Sequence, residues 1–396
     1  MTRSLVQSLS EAVRDGRRVS GLTHGFYRYP ARFSPQFART AIEAFTEPGD
    51  LVYDPFMGGG TALVEACALG RNALGTDVNS LSVFVSRAKT TVLNLRDIEE
   101  LQAWVQLAVE GINLRRPSVC GDNWVERGYQ RNIHGRRTWP IRKALEQVMG
   151  GLGLLASSHL QRFARCLLLK TAQWALDCRR FVPSVEQFRR QLLAHAEEMI
   201  AGATEFATAA TERGEGRCRE RAKCLHRNAT GIEQDQAVRH LPSPRLVVTS
   251  PPYPGVHVLY HRWQVQGRRE TPAPYWIADV LDGDGASFYT FGDRKQPGLT
   301  DYFKSALDAF TSVANLSDSQ TIVVQMIAFS DPSWQLPAYL ETMERAGLVE
   351  VIFKDLSCTA DGRLWRRVPN RKFYADQQGA TTSSEEVVLF HRRAWP

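Results

Sequence analysis

The sequence contains no apolar run of the roughly 18 residues that a membrane-spanning helix needs, so no membrane span is expected. Its opening stretch, MTRSLVQSLSEAVRDGRR, lacks the apolar centre of a secretory signal. Cysteines are few and scattered: Cys67, Cys120, Cys166, Cys178, Cys218, Cys224 and Cys358. An odd, dispersed set argues against a disulfide framework and suits a reducing cytoplasm. There is no internal repeat and no low-complexity tract. What remains is the composition of a globular protein, 396 residues with 43% hydrophobic and 23% charged side chains. That length holds one large domain or two ordinary ones.

Acidic charge is short in one place. Residues 111–230 carry 21 Lys and Arg against 11 Asp and Glu, a net +10, whereas the whole chain is only +7. The positive excess therefore sits in one middle segment. This is the footprint of a polyanion-binding module on a near-neutral body; an Arg-rich, solvated helical surface reads the same way.

Three parts follow from periodicity. In residues 21–95, DLVYD (50–54) reads as a strand, PFMGGG as a turn and TALVEACALG (61–70) as a helix; NALGTD (72–77) and SLSVFVSRAKTTVL (80–93) repeat the pattern. Residues 96–240 read mostly helical, as in HLQRFARCLLLKTAQWAL. Residues 244–396 return to strands: RLVVTS, TIVVQMIAF, LVEVIFKDL and EEVVLFHRR. Alternating strands and helices imply an α/β fold with a mostly parallel sheet covered on both faces.

Two motifs carry chemistry. In DPFMGGGT (54–61) a glycine-rich turn joins a strand's carboxyl end to a helix start, where a ligand can approach the backbone closely. Asp77 ends the next strand, 19 positions after Gly58, and can accept hydrogen bonds from both hydroxyls of a ribose. The spacing is not the G-x-G-x-x-G of a dinucleotide site, so a nucleoside ligand fits better; Asp77 as a plain turn or capping residue is the alternative. The second motif is TSPPY (249–253), a strand running into two prolines. Proline donates nothing to a sheet and stiffens the residue before it, so the strand must end there in a rigid rod.

Together these motifs resemble the amino-methyltransferases that use S-adenosylmethionine to methylate exocyclic nitrogens of DNA bases. HGFYRYPARFSPQFARTAIEAF (24–45) is similar to that family's segment before the glycine loop, which closes over the methionine end. The resemblance covers about residues 22–95 and 244–395. It implies a Rossmann-like methyltransferase sheet with helices on both faces and a mainly helical, basic insert. The division would be 1–95 for the cofactor-binding half, 96–240 for the insert that recognises the target, and 241–396 for the base-binding and catalytic half. Glycine loop first, insert next and clamp last resembles the arrangement with the recognition region between the two halves.

Site residues follow from the same resemblance. Tyr29, Asp54, Pro55, Phe56, Gly58, Gly60, Thr61, Asp77 and Thr249 would hold S-adenosylmethionine, with Phe56 stacked on the adenine and Asp77 on the ribose. Ser250, Pro251, Pro252 and Tyr253 would hold a flipped base. The chemistry of that loop can be reasoned directly. A ring-conjugated amino group is a poor nucleophile until acceptors grip its hydrogens and favour a tetrahedral nitrogen. Ser250 Oγ and a carbonyl of the Pro-Pro stretch can be those acceptors, with no competing N–H nearby. Tyr253 can stack on the base. A turn that merely ends a buried strand is the alternative. Serine at the first position resembles the cytosine-N4 branch, with adenine N6 the other branch; related Pro-Pro-Tyr loops also serve RNA or protein amide substrates, and a catalytically silent DNA-binding protein is the remaining alternative. No cysteine follows a proline, as carbon-5 cytosine enzymes require, and the sulfonium leaving group calls for no metal.

Double-stranded DNA is the implied partner, with a cognate restriction endonuclease a candidate companion; oligomeric state is left open. Within the insert, Arg115, Arg116, Arg127, Arg131, Arg136 and Arg137 interleave with Trp124, Tyr129 and Trp139, a mixture that can grip phosphates, read bases and wedge. The same aromatics could instead pack a solvated loop. His257 and Arg262, just after the clamp, are further DNA candidates. Cys218, Cys224 and His226 lack a fourth ligand for a zinc site.

Overall fold

The structure is a computed structural model, and it describes residues 3–15, 19–29, 34–117, 122–212, 221–255, 262–267, 269–283, 289–293, 295–353, 361–368 and 384–394. His257 and Cys218 lie outside these residues.

Among the described residues ten strands are formed: β1 (Leu51–Asp54), β2 (Asn72–Asp77), β3 (Ala222–His226), β4 (Leu246–Thr249), β5 (Trp263–Val265), β6 (Arg269–Thr271), β7 (Ile322–Ala328), β8 (Leu348–Glu350), β9 (Leu364–Val368) and β10 (Ser384–Arg393). Eight of them make one sheet, in the order β3-β2-β1-β4-β7-β10-β8, with β9 also paired to β10. From β3 to β7 every pairing is parallel. β10 runs antiparallel to β7, β8 and β9. β5 and β6 form a separate antiparallel hairpin. The expected mixed α/β fold with a parallel-rich sheet is therefore present.

Side-chain alternation assigns the two faces. Val52, Ala73, Leu246, Val248 and Val324 belong to one core, while Leu51, Tyr53, Leu74, Val247 and Val323 belong to the other. Successive residues of a strand point to opposite faces, and a parallel sheet buries both, so these strands read as continuous apolar runs. The helix Thr61–Ala68 is buried at every position and belongs to the first of these cores, which is why its sequence carries no polar face.

A third core is helical. It gathers Trp104, Leu145, Phe163, Leu167, Phe188 and Met199 from the helices Leu95–Gly111, Trp139–Gly150, Ser158–Leu176 and Val185–Glu212. These helices start where the sequence supplies caps. Asn94 and Asp97 form a reciprocal capping box, and Ser157 accepts from the Leu160 N–H. The helical core is not closed on itself: Leu81, Phe84 and Val85 join from the helix Ser80–Lys89, and Trp263, Tyr275 and Trp276 from beyond the clamp. Trp263 is 2% exposed, and its indole N–H donates to the Tyr27 hydroxyl. Conversely, β3 lies in the stretch expected to be insert, yet it pairs with β2 as the edge of the main sheet. The chain thus leaves the sheet after Asp77, returns at Ala222, and sends Trp263–Val265 and Ala273–Ala278 back into the helical body.

Candidate functional site

β1 and β4 are parallel neighbours, but their connections leave in opposite directions along the sheet, β1 toward β2 and β4 toward β7. This is a topological switch point, where open α/β sheets leave a crevice at the strands' carboxyl ends. The glycine loop leaves from the end of β1 and the Ser-Pro-Pro-Tyr loop from the end of β4. The two motifs, 195 residues apart, are tied by one hydrogen bond: the Thr249 hydroxyl donates to Asp54 Oδ1 at 2.6 Å. The Phe56 N–H donates to the same oxygen at 3.1 Å.

The glycine loop is held from beneath. Thr76 Oγ1 donates to the Pro55 carbonyl, the Met57 N–H donates to the Thr76 carbonyl, and the Gly58 N–H donates to Asp77 Oδ2 at 2.9 Å. Ser86 Oγ and the buried ammonium of Lys89 donate to the carbonyls of Gly58 and Gly59. Two positions demand glycine. A Cβ on Gly59 would lie 2.8 Å from the Cβ of Tyr29, and Gly60 sits at φ +75° with Ser86 Oγ 2.7 Å from its missing Cβ. Tyr29 itself is 5% exposed, its ring lies over the loop, and its hydroxyl meets Ser82 Oγ at 2.5 Å. Thr61, the first helical residue, is buried. Phe56 is half-buried, edge-on to Phe291 at 5.4 Å.

Asp77 has two structural jobs. Oδ2 receives Gly58 and Oδ1 receives the Asn79 N–H, so the carboxylate clips the glycine loop to the turn that opens the next helix. Both carboxylates are costly. Burial pushes Asp54 up to about 7, against the opposing hydrogen bonds from Thr249 and Phe56. Burial likewise pushes Asp77 up to about 6, against hydrogen bonds from Asn79, Gly58 and Ser82. Neither pairs with a lysine or arginine among the described residues.

The clamp loop is equally fixed. Tyr302, in the helix Thr300–Leu316, donates its hydroxyl to the Pro252 carbonyl at 2.7 Å. Ser250 Oγ and Tyr253 Oη are 2.9 Å apart, and the Tyr253 hydroxyl donates to Glu386 of β10 at 3.0 Å. Glu386 faces Arg366 of β9, its cross-strand partner. Sequence reasoning missed Tyr302, Glu386 and Arg366. The only trace of Glu386 is an acid inside the apolar strand EEVVLFHRR, and nothing in the sequence pairs it with Tyr253.

The basic candidates fall apart from this crevice in sequence and differ in state. Arg115, Arg116, Arg127, Arg131, Arg136 and Arg137 are all exposed, and none forms an ion pair among the described residues. Their aromatic neighbours split. Trp124 and Tyr129 pack edge to face on each other and against the helical core, with the Tyr129 hydroxyl accepting from the Asp282 N–H, whereas Trp139 stays exposed under Lys143. Arg262 is engaged by Asp282 at 2.8 Å. His226 meets the Val78 carbonyl, and no cluster of metal-type ligands occurs among the described residues.

Residues 10–83, which contain the glycine loop and Asp77, match the family model described as DNA methylase, the N6/N4 group. Over that stretch the chain is similar to amino-methylating DNA methylases. Type II methyltransferase M.MvaI of Kocuria varians is 41% identical over 98 residues, 22% of this chain and 22% of that protein. Type II methyltransferase M.MjaII of Methanocaldococcus jannaschii is 33% identical over 79 residues, 20% of this chain and 14% of that protein. The orphan methyltransferase M.BamHII of Bacillus amyloliquefaciens is 33% identical over 67 residues, 17% and 25%. The chain thus spans a quarter or less of the length of these relatives. Among solved structures, the rRNA methyltransferase aviRa of Streptomyces viridochromogenes aligns over 96% of this chain and 92% of its own at a TM-score of 0.37 and 11% identity, too slight a likeness to bear on function.

The carboxylates make stability depend on pH. With folded values near 7 and 6 against 3.8 unfolded, the folded chain holds more protons between those limits. Stability therefore falls as pH rises from about 4 to about 7. Urea unfolding at pH 5 and pH 8 should show that loss in the parent, and Asp54→Asn should recover on the order of 3 kcal/mol of it. An unaltered pH dependence in the variant would contradict the burial of an uncompensated charge at Asp54.

Proposed function

We propose that the chain is an S-adenosylmethionine-dependent DNA methyltransferase that methylates the exocyclic amino group of a flipped base, cytosine N4. The observation that carries this reading is the Thr249–Asp54 hydrogen bond, which seats the glycine loop beside the Ser-Pro-Pro-Tyr loop at the switch point. The match of residues 10–83 to DNA methylases supports the cofactor half. Serine at position 250 supports cytosine N4 over adenine N6.

The residues present fit the methyl donor. Its ammonium and sulfonium are cationic, and two desolvated carboxylates with no lysine or arginine partner among the described residues border the glycine loop. Asp77 would accept the ribose hydroxyls with the lone pairs left beside Gly58 and Asn79, Phe56 would meet the adenine, and Asp54 with the backbone from Gly58 to Gly60 would hold the methionine end. Tyr29, Pro55, Thr61 and Thr249 would close the walls. When bound, the donor supplies a methyl group already on a good leaving group.

The chain's part is to make the amino nitrogen reactive. Ser250 Oγ accepts one N–H. Tyr302 fills one lone pair of the Pro252 carbonyl and anchors the loop, and the Pro251 carbonyl, next to Ser250, serves as the second acceptor. Two acceptors draw the nitrogen toward tetrahedral geometry, and its lone pair leaves the ring for in-line attack. Tyr253 stacks on the extruded base. The six exposed arginines of the helical body grip DNA phosphates.

Tritium transfer from labelled S-adenosylmethionine to unmodified DNA, with RNA as competitor, tests the reading directly. Label on DNA that RNA does not displace is expected; label on RNA or protein alone would overturn it. Ser250→Ala should lower kcat roughly 10²-fold with DNA and cofactor affinity little changed, because the missing hydrogen bond matters when nitrogen rehybridises. Near-normal turnover in that variant would leave the loop a strand-ending turn.

Asp77→Ala should weaken S-adenosylmethionine binding by about 2–3 kcal/mol. In the parent, affinity should fall as pH drops through about 6, where Asp77 takes up its proton. Calorimetry showing neither effect would remove Asp77 from the cofactor site. Arg136→Ala with Arg137→Ala should flatten the salt dependence of DNA binding, its log–log slope falling by about 0.9 for each phosphate no longer neutralised. An unchanged slope places the phosphate grip elsewhere.

A further inference from the structure

Ser250 is a hydroxyl, and a hydroxyl can either donate or accept. A serine that turned its proton toward an amino group would repel it, so the proposed clamp works only if that proton points elsewhere. The chain behind Ser250 decides the direction. Glu386 is 1% exposed and sits opposite Arg366 across the β9–β10 ladder. Arg366 places Nε at 2.6 Å and Nη2 at 2.5 Å from Glu386 Oε2. Two charge-assisted donors on one oxygen hold the carboxyl ionised, and an ionised carboxyl only accepts. The Tyr253 hydroxyl, 3.0 Å from Oε1, must then spend its single proton on Glu386. The 2.9 Å contact between Tyr253 Oη and Ser250 Oγ is a hydrogen bond only if Ser250 is its donor.

We propose that Glu386, held by Arg366, is a positioning residue that fixes the hydrogen-bond polarity of the clamp through Tyr253, so that Ser250 meets the base amino group as an acceptor alone. The proposal rests on reading the Ser-Pro-Pro-Tyr loop as the amino-group clamp. It gives Tyr253 a second task beside stacking, and it explains a buried ion pair whose desolvation makes it a poor device for stability.

Glu386→Gln reverses the chain. The two Arg366 donors draw the amide oxygen to their side, which turns the amide NH2 toward Tyr253 Oη. Tyr253 then donates to Ser250, and the Ser250 proton faces the substrate. kcat should fall roughly tenfold or more, with cofactor affinity and the KM for DNA unchanged. Tyr253→Phe placed on top of Glu386→Gln should cost less in kcat than Tyr253→Phe costs in the parent, because the tyrosine hydroxyl then no longer serves the clamp. Parental kcat in a folded Glu386→Gln protein, or full additivity of the two substitutions, overturns the proposal.

One measurement needs no turnover. With 3-fluorotyrosine placed at position 253 of the full chain, the 19F resonance reports phenol ionisation. A phenol that donates to a carboxylate ionises at higher pH than the free amino acid. Ionisation at or below the free value overturns the proposed polarity even if the protein proves to methylate some other substrate. A parent chain that labels no DNA sinks the functional reading, and the fluorine titration still decides the polarity.

Discussion

The hydroxyl of Thr249 donates to Asp54 across 2.6 Å where β1 and β4 lie side by side, and the geometry of the crevice depends on that contact. β1 delivers the glycine loop and β4 the Ser-Pro-Pro-Tyr loop, so the bond fixes the offset between two otherwise independent motifs. Around it the loops are tied down residue by residue: Gly58 to Asp77, Gly59 to Lys89, Pro252 to Tyr302. Such rigidity is what an electrostatic site requires, since donors and acceptors that must reorganise during reaction lose their advantage.

The crevice carries a stability cost with a functional explanation. Buried carboxylates favour their neutral forms, and Asp54 and Asp77 are both pushed well above the ordinary aspartate range by burial. A protein selected for stability alone would have apolar or amide groups there. In the proposed function the missing compensation arrives with the ligand, whose cationic end and ribose hydroxyls meet those oxygens. The same trade recurs at Glu386 and Arg366, a buried pair that orients a tyrosine.

Much of this was legible in the chain. The continuous apolar runs in DLVYD, RLVVTS and TIVVQMIAF mark strands where β1, β4 and β7 lie. DPFMGGGT and TSPPY announced themselves because glycine and proline answer to local backbone demands, which a sequence displays directly. Contacts between distant segments were not legible. Nothing local shows that Glu386 faces Tyr253, since that meeting depends on β10 entering the sheet beside β7. Long-range packing is equally hidden: β3 pairs with β2 from within the stretch 96–240, and Trp263, Tyr275 and Trp276 pack into the helical core from beyond the clamp. The arginines were visible as composition, but only the structure separates the exposed Arg136 and Arg137 from Arg262, which Asp282 binds.

The central claim is that the crevice joins a methyl donor to a base amino group of DNA, and the product carries its own record. Long-read sequencing of DNA from a host expressing the intact chain reports the modified base, its atom and its sequence context together. The account predicts N4-methylcytosine at one recurrent site, absent from a host carrying the empty vector. A genome without any methylated amino group attributable to the chain, from a host in which the folded protein is demonstrably present, would contradict it.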